Sequence, residues 1–68
     1  MSDYYKQTKH PITGKWEMAH WADNLFGHYH YGVIFPSDLP ANSGERDWEL
    51  AKSVAFDPDK VKLETRED

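Results

Sequence analysis

The fold is decided by residues 16–35, which read WEMAHWADNLFGHYHYGVIF. This stretch holds six of the ten aromatic residues of the chain and three of its four histidines. A chain of 68 residues can form only a thin core, and aromatic side chains bury more area each than aliphatic ones. We therefore expect residues 16–35 to provide both the core and the working surface.

Residues 15–24 fit two different elements. As a strand, the segment places one set of side chains on a single face: Trp16, Met18, His20 and Ala22. As a helix, it spaces another set at i, i+3, i+4 and i+7: Met18, Trp21, Ala22 and Leu25. Thr13 would then cap the helix and Gly27 would end it.

The neighbouring sequence favours the strand. In residues 28–35, side chains of different polarity alternate, aromatic and β-branched residues are frequent, and the segment ends at Pro36. These features are typical of a strand. Asn24 and Gly27 occupy the first and fourth positions of a type I turn, which can fold one segment back on the other. We predict an antiparallel hairpin.

The turn also predicts a register, in which Asn24 faces Gly27. One face of the hairpin then carries apolar pairs such as Trp16 with Phe35, and would form the core. The opposite face would meet water and carry the residues that we predict to bind a partner: Glu17, Trp21, Asp23, His28, His30 and Ile34. In the alternative, the protein's own helix covers Trp21, with Trp48 stacked on it.

A shift of the register by one residue would change the positions of the histidines and their predicted role. His20 would then oppose His30, with His28 two positions away on the same face. Three imidazoles can bind zinc and leave a fourth position to water. The shift would also mix these histidines with the apolar residues of the core face, so we favour the first register and expect no cofactor. A zinc-binding module built on His20, His28 and His30 is the alternative.

The rest of the chain predicts one helix and one short strand. Residues 36–44 are rich in Pro, Ser, Asn and Gly, which indicates a surface loop. Ser43 can cap a helix that ends before Phe56, and residues 61–64 alternate like a half-buried strand. Residues 1–9 and 65–68 are expected to be flexible ends.

The predicted fold is a small single domain of the α+β class over residues 1–68. An antiparallel hairpin and a short C-terminal strand would form a small sheet or partial barrel, with one helix packed over it.

Composition limits the classes of protein to consider. The chain has no cysteine, which excludes a disulfide framework and a thiolate metal site. No signal-peptide pattern and no bilayer-spanning apolar run is present, so we expect a cytoplasmic protein without membrane contact. The net charge of −4 arises in residues 38–68, which hold nine acidic and five basic residues. Direct nucleic-acid binding is therefore not expected.

No sequence pattern identifies a reaction. The serines lie in no nucleophile elbow, and Asp57-Pro58-Asp59 lacks the glycine and glutamate of a calcium loop. We predict a non-enzymatic, small acidic protein that binds a larger protein as an inhibitor or accessory subunit, of the kind that viruses and mobile elements encode. A second predicted binding surface is the acidic helix face of Glu45, Asp47 and Glu49. A homodimer is a further possibility for so small a core.

Overall fold

The chain forms a four-stranded antiparallel sheet with one short α-helix in this computed structural model. The elements in chain order are β1 (Tyr4–Lys9), β2 (Trp16–Ala22), β3 (Gly32–Ile34), a 3-10 helix (Pro36–Asp38), α1 (Trp48–Val54) and β4 (Thr65–Arg66). The strand order is β3-β2-β1-β4. The predicted α+β fold class is confirmed.

The structure describes residues 3–27, 30–41 and 48–67. The predicted helix cap Ser43 and the predicted binding residues His28, Glu45 and Asp47 lie outside these ranges, and the side chain of Trp48 is outside the description as well. Within the described ranges, no helix is long and apolar enough to cross a membrane.

Both faces of the sheet carry buried side chains. One face packs into a cluster that we call the aromatic core, formed by Ala19, Val33 and Phe35 with Trp21, Phe56 and Leu63 against them. The other face packs into the helix core, formed by Ala22, Leu25, Ile34 and Ala51 with Leu39, Val54 and Ala55 against them. Successive side chains of a strand point to opposite faces, which explains the division. Because both faces are covered, every residue of β3 is buried.

The chain after α1 crosses the sheet from one edge to the other. Phe56 pairs with Val33 through two backbone hydrogen bonds of 2.9 Å each, beside β3. Leu63 then packs into the aromatic core, and β4 pairs with β1 at the opposite edge. This segment thus covers part of each edge, which limits pairing with strands of other chains.

The predicted hairpin is present as β2 and β3, but its predicted register is wrong. Ile34 lies opposite His20. The predicted turn exists, because the Gly27 N–H donates to the Asn24 carbonyl at 3.2 Å, but it lies within a longer connection between the strands. The connection is longer because Leu25 leaves the strand line and enters the helix core, where it is only 9% exposed.

The described parts of the termini, which the sequence predicted to be flexible, contain strands. Residues 4–9 form β1, which pairs with β2 along its whole length, and β4 occupies positions predicted to fray. The described residues 61–64 contain no strand, because this stretch carries the chain across the aromatic core instead. The helix ends at Val54, before Phe56 as predicted, and the predicted surface loop begins with the 3-10 helix.

Gly32 is a position where a larger residue is expected to destabilise the fold. A Cβ added there would lie 3.0 Å from both Cβ and Cγ of Leu25, which the helix core holds in place. We expect Gly32→Ala to lower the free energy of unfolding by about 1–3 kcal/mol, measured by urea denaturation. In a Leu25→Ala background the same change should cost much less, and an equal cost in both backgrounds would contradict the steric reason.

Candidate functional site

The observed register separates the residues that were predicted to form one water-facing patch. Ile34 is buried at 1% exposure in the helix core, so its predicted exposed position is wrong. Trp21 is half-buried on the opposite face, against the aromatic core. Because α1 packs on the face away from Trp21, the alternative in which α1 covers this residue is also wrong. The reason is that both faces carry packed side chains where β2 pairs with β3, so this part of the hairpin has no polar face.

The predicted acidic residues have different environments. Glu17 holds the start of the 3-10 helix, because its carboxylate accepts hydrogen bonds from the Ser37 N–H at 3.1 Å and the Ser37 hydroxyl at 2.6 Å. Asp23 is half-buried, and its backbone N–H donates to the Asp3 carboxylate at 2.9 Å. Glu49 is exposed on α1. Of these three acids, only Glu49 presents a freely accessible surface.

Trp21 belongs to a stack with two tyrosines. The Tyr4 ring lies parallel to the Trp21 ring with centroids 5.9 Å apart, and it meets Tyr31 edge-on at 6.0 Å. The Trp21 indole N–H donates to the Thr8 hydroxyl at 3.0 Å. Partial burial raises the pKa of the Tyr4 hydroxyl above its ordinary value, and the nearby Tyr31 adds to the rise. The Trp21 ring and its N–H group therefore make their contacts within the protein. Because the pKa of the Tyr4 hydroxyl is raised, Tyr4 stays neutral at physiological pH.

The alternative register, in which His20 opposes His30, is not the observed one. The strand pairing puts Ile34, and not His30, opposite His20. His20 is buried, stacks on Tyr5 with ring centroids 4.8 Å apart, and has its Nε2 3.6 Å from a carboxylate oxygen of Asp3. The third member of the predicted zinc site, His28, lies outside the described residues.

Part of the sheet face that bears the helix core carries exposed apolar side chains. Cross-strand pairing places five residues together on the β1 side of this face, and we call them the open face: Tyr5, Gln7, Trp16, Met18 and Arg66. Tyr5 is 53% exposed and Met18 is 38% exposed. The Arg66 guanidinium lies 4.3 Å from the centroid of the Trp16 ring, in a cation–π contact. A strip of this composition is typical of the centre of a protein interface.

A buried histidine links the turn after β1 to the 3-10 helix. Nδ1 of His10 accepts hydrogen bonds from the backbone N–H groups of Ile12 and Thr13, at 3.1 and 3.3 Å. The proton therefore sits on Nε2, which donates to the Asp38 carboxylate at 3.0 Å. His10 is only 3% exposed and both of its nitrogens are engaged, so the imidazole has no free nitrogen for acid–base chemistry. Asp38 lies 28 positions from His10 in the chain, so no local sequence pattern indicates this pair.

A second histidine–aspartate pair lies at the surface. Nδ1 of His30 is 3.2 Å from a carboxylate oxygen of Asp59. Asp57 belongs to the same group, because one ligand atom from each of the three residues lies within 4.8 Å of the others. The sequence shows the two aspartates in Asp57-Pro58-Asp59, which resembles only the start of a calcium loop. No local pattern indicates that a histidine from the hairpin connection lies beside them.

No protein-family model, no curated protein and no solved structure matches this chain. The open face and the group around His30 are the two described surfaces whose chemistry goes beyond internal packing.

Proposed function

We propose that this protein is a non-enzymatic binding protein that attaches to a larger protein through its open face, as an inhibitor or accessory subunit in the cytoplasm. The observation that carries the proposal is the exposure of Tyr5 and Met18 on adjacent strands, beside the stacked Trp16 and Arg66. Aromatic residues, methionine and arginine are enriched at the centres of protein interfaces. Side chains that a sheet already orders lose little conformational freedom on binding.

The charge of the chain indicates the chemistry of the partner. The net charge of −4 disfavours a phosphate backbone as ligand. Arg66 nevertheless places a positive charge on the open face itself. The complementary surface is apolar at its centre, to receive Tyr5 and Met18, with an acidic group at its rim for Arg66.

The enclosed state of His10 supports a binding role over a catalytic one. His10 and Asp38 form the kind of pair that enzymes use as a general base, but here Nδ1 is occupied by two backbone N–H groups.

The double variant Tyr5→Ser/Met18→Ser is expected to lose binding to the partner protein. Capture from a lysate of the source cell would be compared between this variant and the wild type, after circular dichroism has shown that both are folded. We expect one partner protein to bind the wild type and to be reduced by roughly tenfold or more with the variant, because central apolar contacts dominate interface energies.

The matched control is Ile12→Ser, which removes another exposed apolar side chain, 78% accessible, from the turn after β1. It should capture as much partner as the wild type. Equal capture by all three proteins, or no specific capture by the wild type, would overturn the proposal. Light scattering on the purified proteins tests a homodimer: a dimeric wild type with a monomeric double variant would make a second copy of this chain the occupant of the open face.

A further inference from the structure

We propose that His30, Asp57 and Asp59 form a binding site for one divalent transition-metal ion, and that zinc is the ion these donors fit. The site differs from the histidine site predicted from the sequence, because it keeps His30 but takes its other ligands from the chain after α1. An imidazole nitrogen with carboxylate oxygens suits zinc and its neighbours, whereas calcium and magnesium prefer oxygen ligands alone.

The distances within the group suit a zinc ion. Zinc binds nitrogen and carboxylate oxygen at about 2.0–2.2 Å, so two ligands of a tetrahedral site lie about 3.4 Å apart. Nδ1 of His30 and the carboxylate oxygen of Asp59 are 3.2 Å apart, and a donor atom of Asp57 is within 4.8 Å of both. Three protein ligands leave a fourth position for water or for a donor group of a partner.

The Asp57 carboxylate both orders the loop and has an oxygen to offer. Its Oδ1 accepts a hydrogen bond from the Asp59 N–H at 2.9 Å, which orients the two aspartates relative to each other. A carboxylate has a second oxygen, so ligation of the ion does not require this bond to break.

The backbone holds both halves of the site independently of an ion. Phe56, immediately before Asp57, exchanges two hydrogen bonds of 2.9 Å with Val33. The backbone N–H of His30 donates to the Gly27 carbonyl at 3.2 Å. Because both segments are tied to the hairpin, the ligands approach one another without further ordering of the chain, which favours binding.

Charge also favours a cation at this position. Two carboxylates whose oxygens lie within 4.8 Å of each other repel, and in the described part of the chain His30 is the only side chain that forms an ion pair with either of them. A divalent cation would neutralise both carboxylates at once.

Calorimetric titration of the metal-free protein with zinc chloride tests the site. We expect one ion to bind the wild type, and Asp57→Asn, Asp59→Asn and His30→Gln each to weaken binding by roughly tenfold or more. Asparagine keeps the size of aspartate and an oxygen that can accept the loop hydrogen bond, so the variants should fold. Cobalt(II) gives a second readout, because its visible absorption reports a tetrahedral nitrogen and oxygen site that only the wild type should show.

The matched control is Glu67→Gln, which makes the same change in net charge as the two aspartate variants at an exposed position near the C-terminus. It should bind zinc like the wild type. The proposal is overturned if the wild type binds no zinc, if the control loses as much affinity as the site variants, or if all three site variants bind like the wild type. None of the site residues belongs to the open face, so either proposal can fail without the other.

Discussion

Phe35→Ala is expected to remove a large part of the stability of the fold. The Phe35 side chain is fully buried, at 0% exposure, and meets the Phe56 ring edge-on with centroids 5.7 Å apart and the His10 ring at 4.6 Å. Truncation of a buried phenylalanine costs about 3–5 kcal/mol. At about 0.05–0.15 kcal/mol per residue, a domain of 68 residues has only about 3–10 kcal/mol to lose. Urea denaturation followed by tryptophan fluorescence and circular dichroism would measure the loss.

Phe26→Ala is the matched control for this prediction. Phe26 is 38% exposed and belongs to neither core cluster, so its loss should cost less than about 1 kcal/mol. If the two variants lose the same stability, the aromatic core is not the main source of stability and the assignment of Phe35 to its centre is wrong.

His10→Phe is expected to lower the free energy of unfolding by about 2–3 kcal/mol, although it keeps an aromatic ring of similar shape. The ring can still pack against Phe35, but the N–H groups of Ile12 and Thr13 lose their acceptor and Asp38 loses its donor. These hydrogen bonds are partly buried, and a partly buried group that loses its partner carries a desolvation penalty. Urea denaturation gives the value.

A double-mutant cycle separates the His10–Asp38 bond from other effects of the substitution. Combined with Asp38→Ala, His10→Phe should cost less than the sum of the single changes, with a coupling of about 1–2 kcal/mol. The matched control is His30→Phe with Asp59→Ala, because this pair has a similar separation, 3.2 Å against 3.0 Å, but its side chains are 48% and 72% exposed. Its coupling in buffer with a chelator should fall below about 0.5 kcal/mol. Equal coupling in both cycles would show that burial does not strengthen the His10 pair.

The local elements of this protein could be predicted from short stretches of sequence. The alternation that ends at Pro36 predicts a strand, and β3 confirms it in a shorter form. Asn24 and Gly27 predict a turn, and its hydrogen bond is present. The segment before Phe56 predicts a helix, and Ala51 of α1 is fully buried in the helix core. Each of these patterns involves residues within one or two turns of backbone, where intrinsic preference and hydrophobic period are sufficient.

β1 could not be predicted from its own sequence. Residues 4–9 contain no aliphatic side chain, so their alternation carries little hydrophobic signal. The strand exists because β2 and β4 pair with it on either side and because Thr8 is buried against the aromatic core. Its stability comes from contacts with distant segments, which a local window does not contain.

The sequence by itself determined the fold class, the helix, and the hairpin with its turn. The binding role without catalysis stays a prediction, and it rests on composition. Only the tertiary structure decided the register, the burial of Ile34, the open face and the two histidine–aspartate pairs. His10 meets Asp38 across 28 positions and His30 meets Asp59 across 29. The physical reason is that the register of the hairpin decides which face each side chain occupies and which distant residues it meets, and a short stretch of sequence does not determine the register.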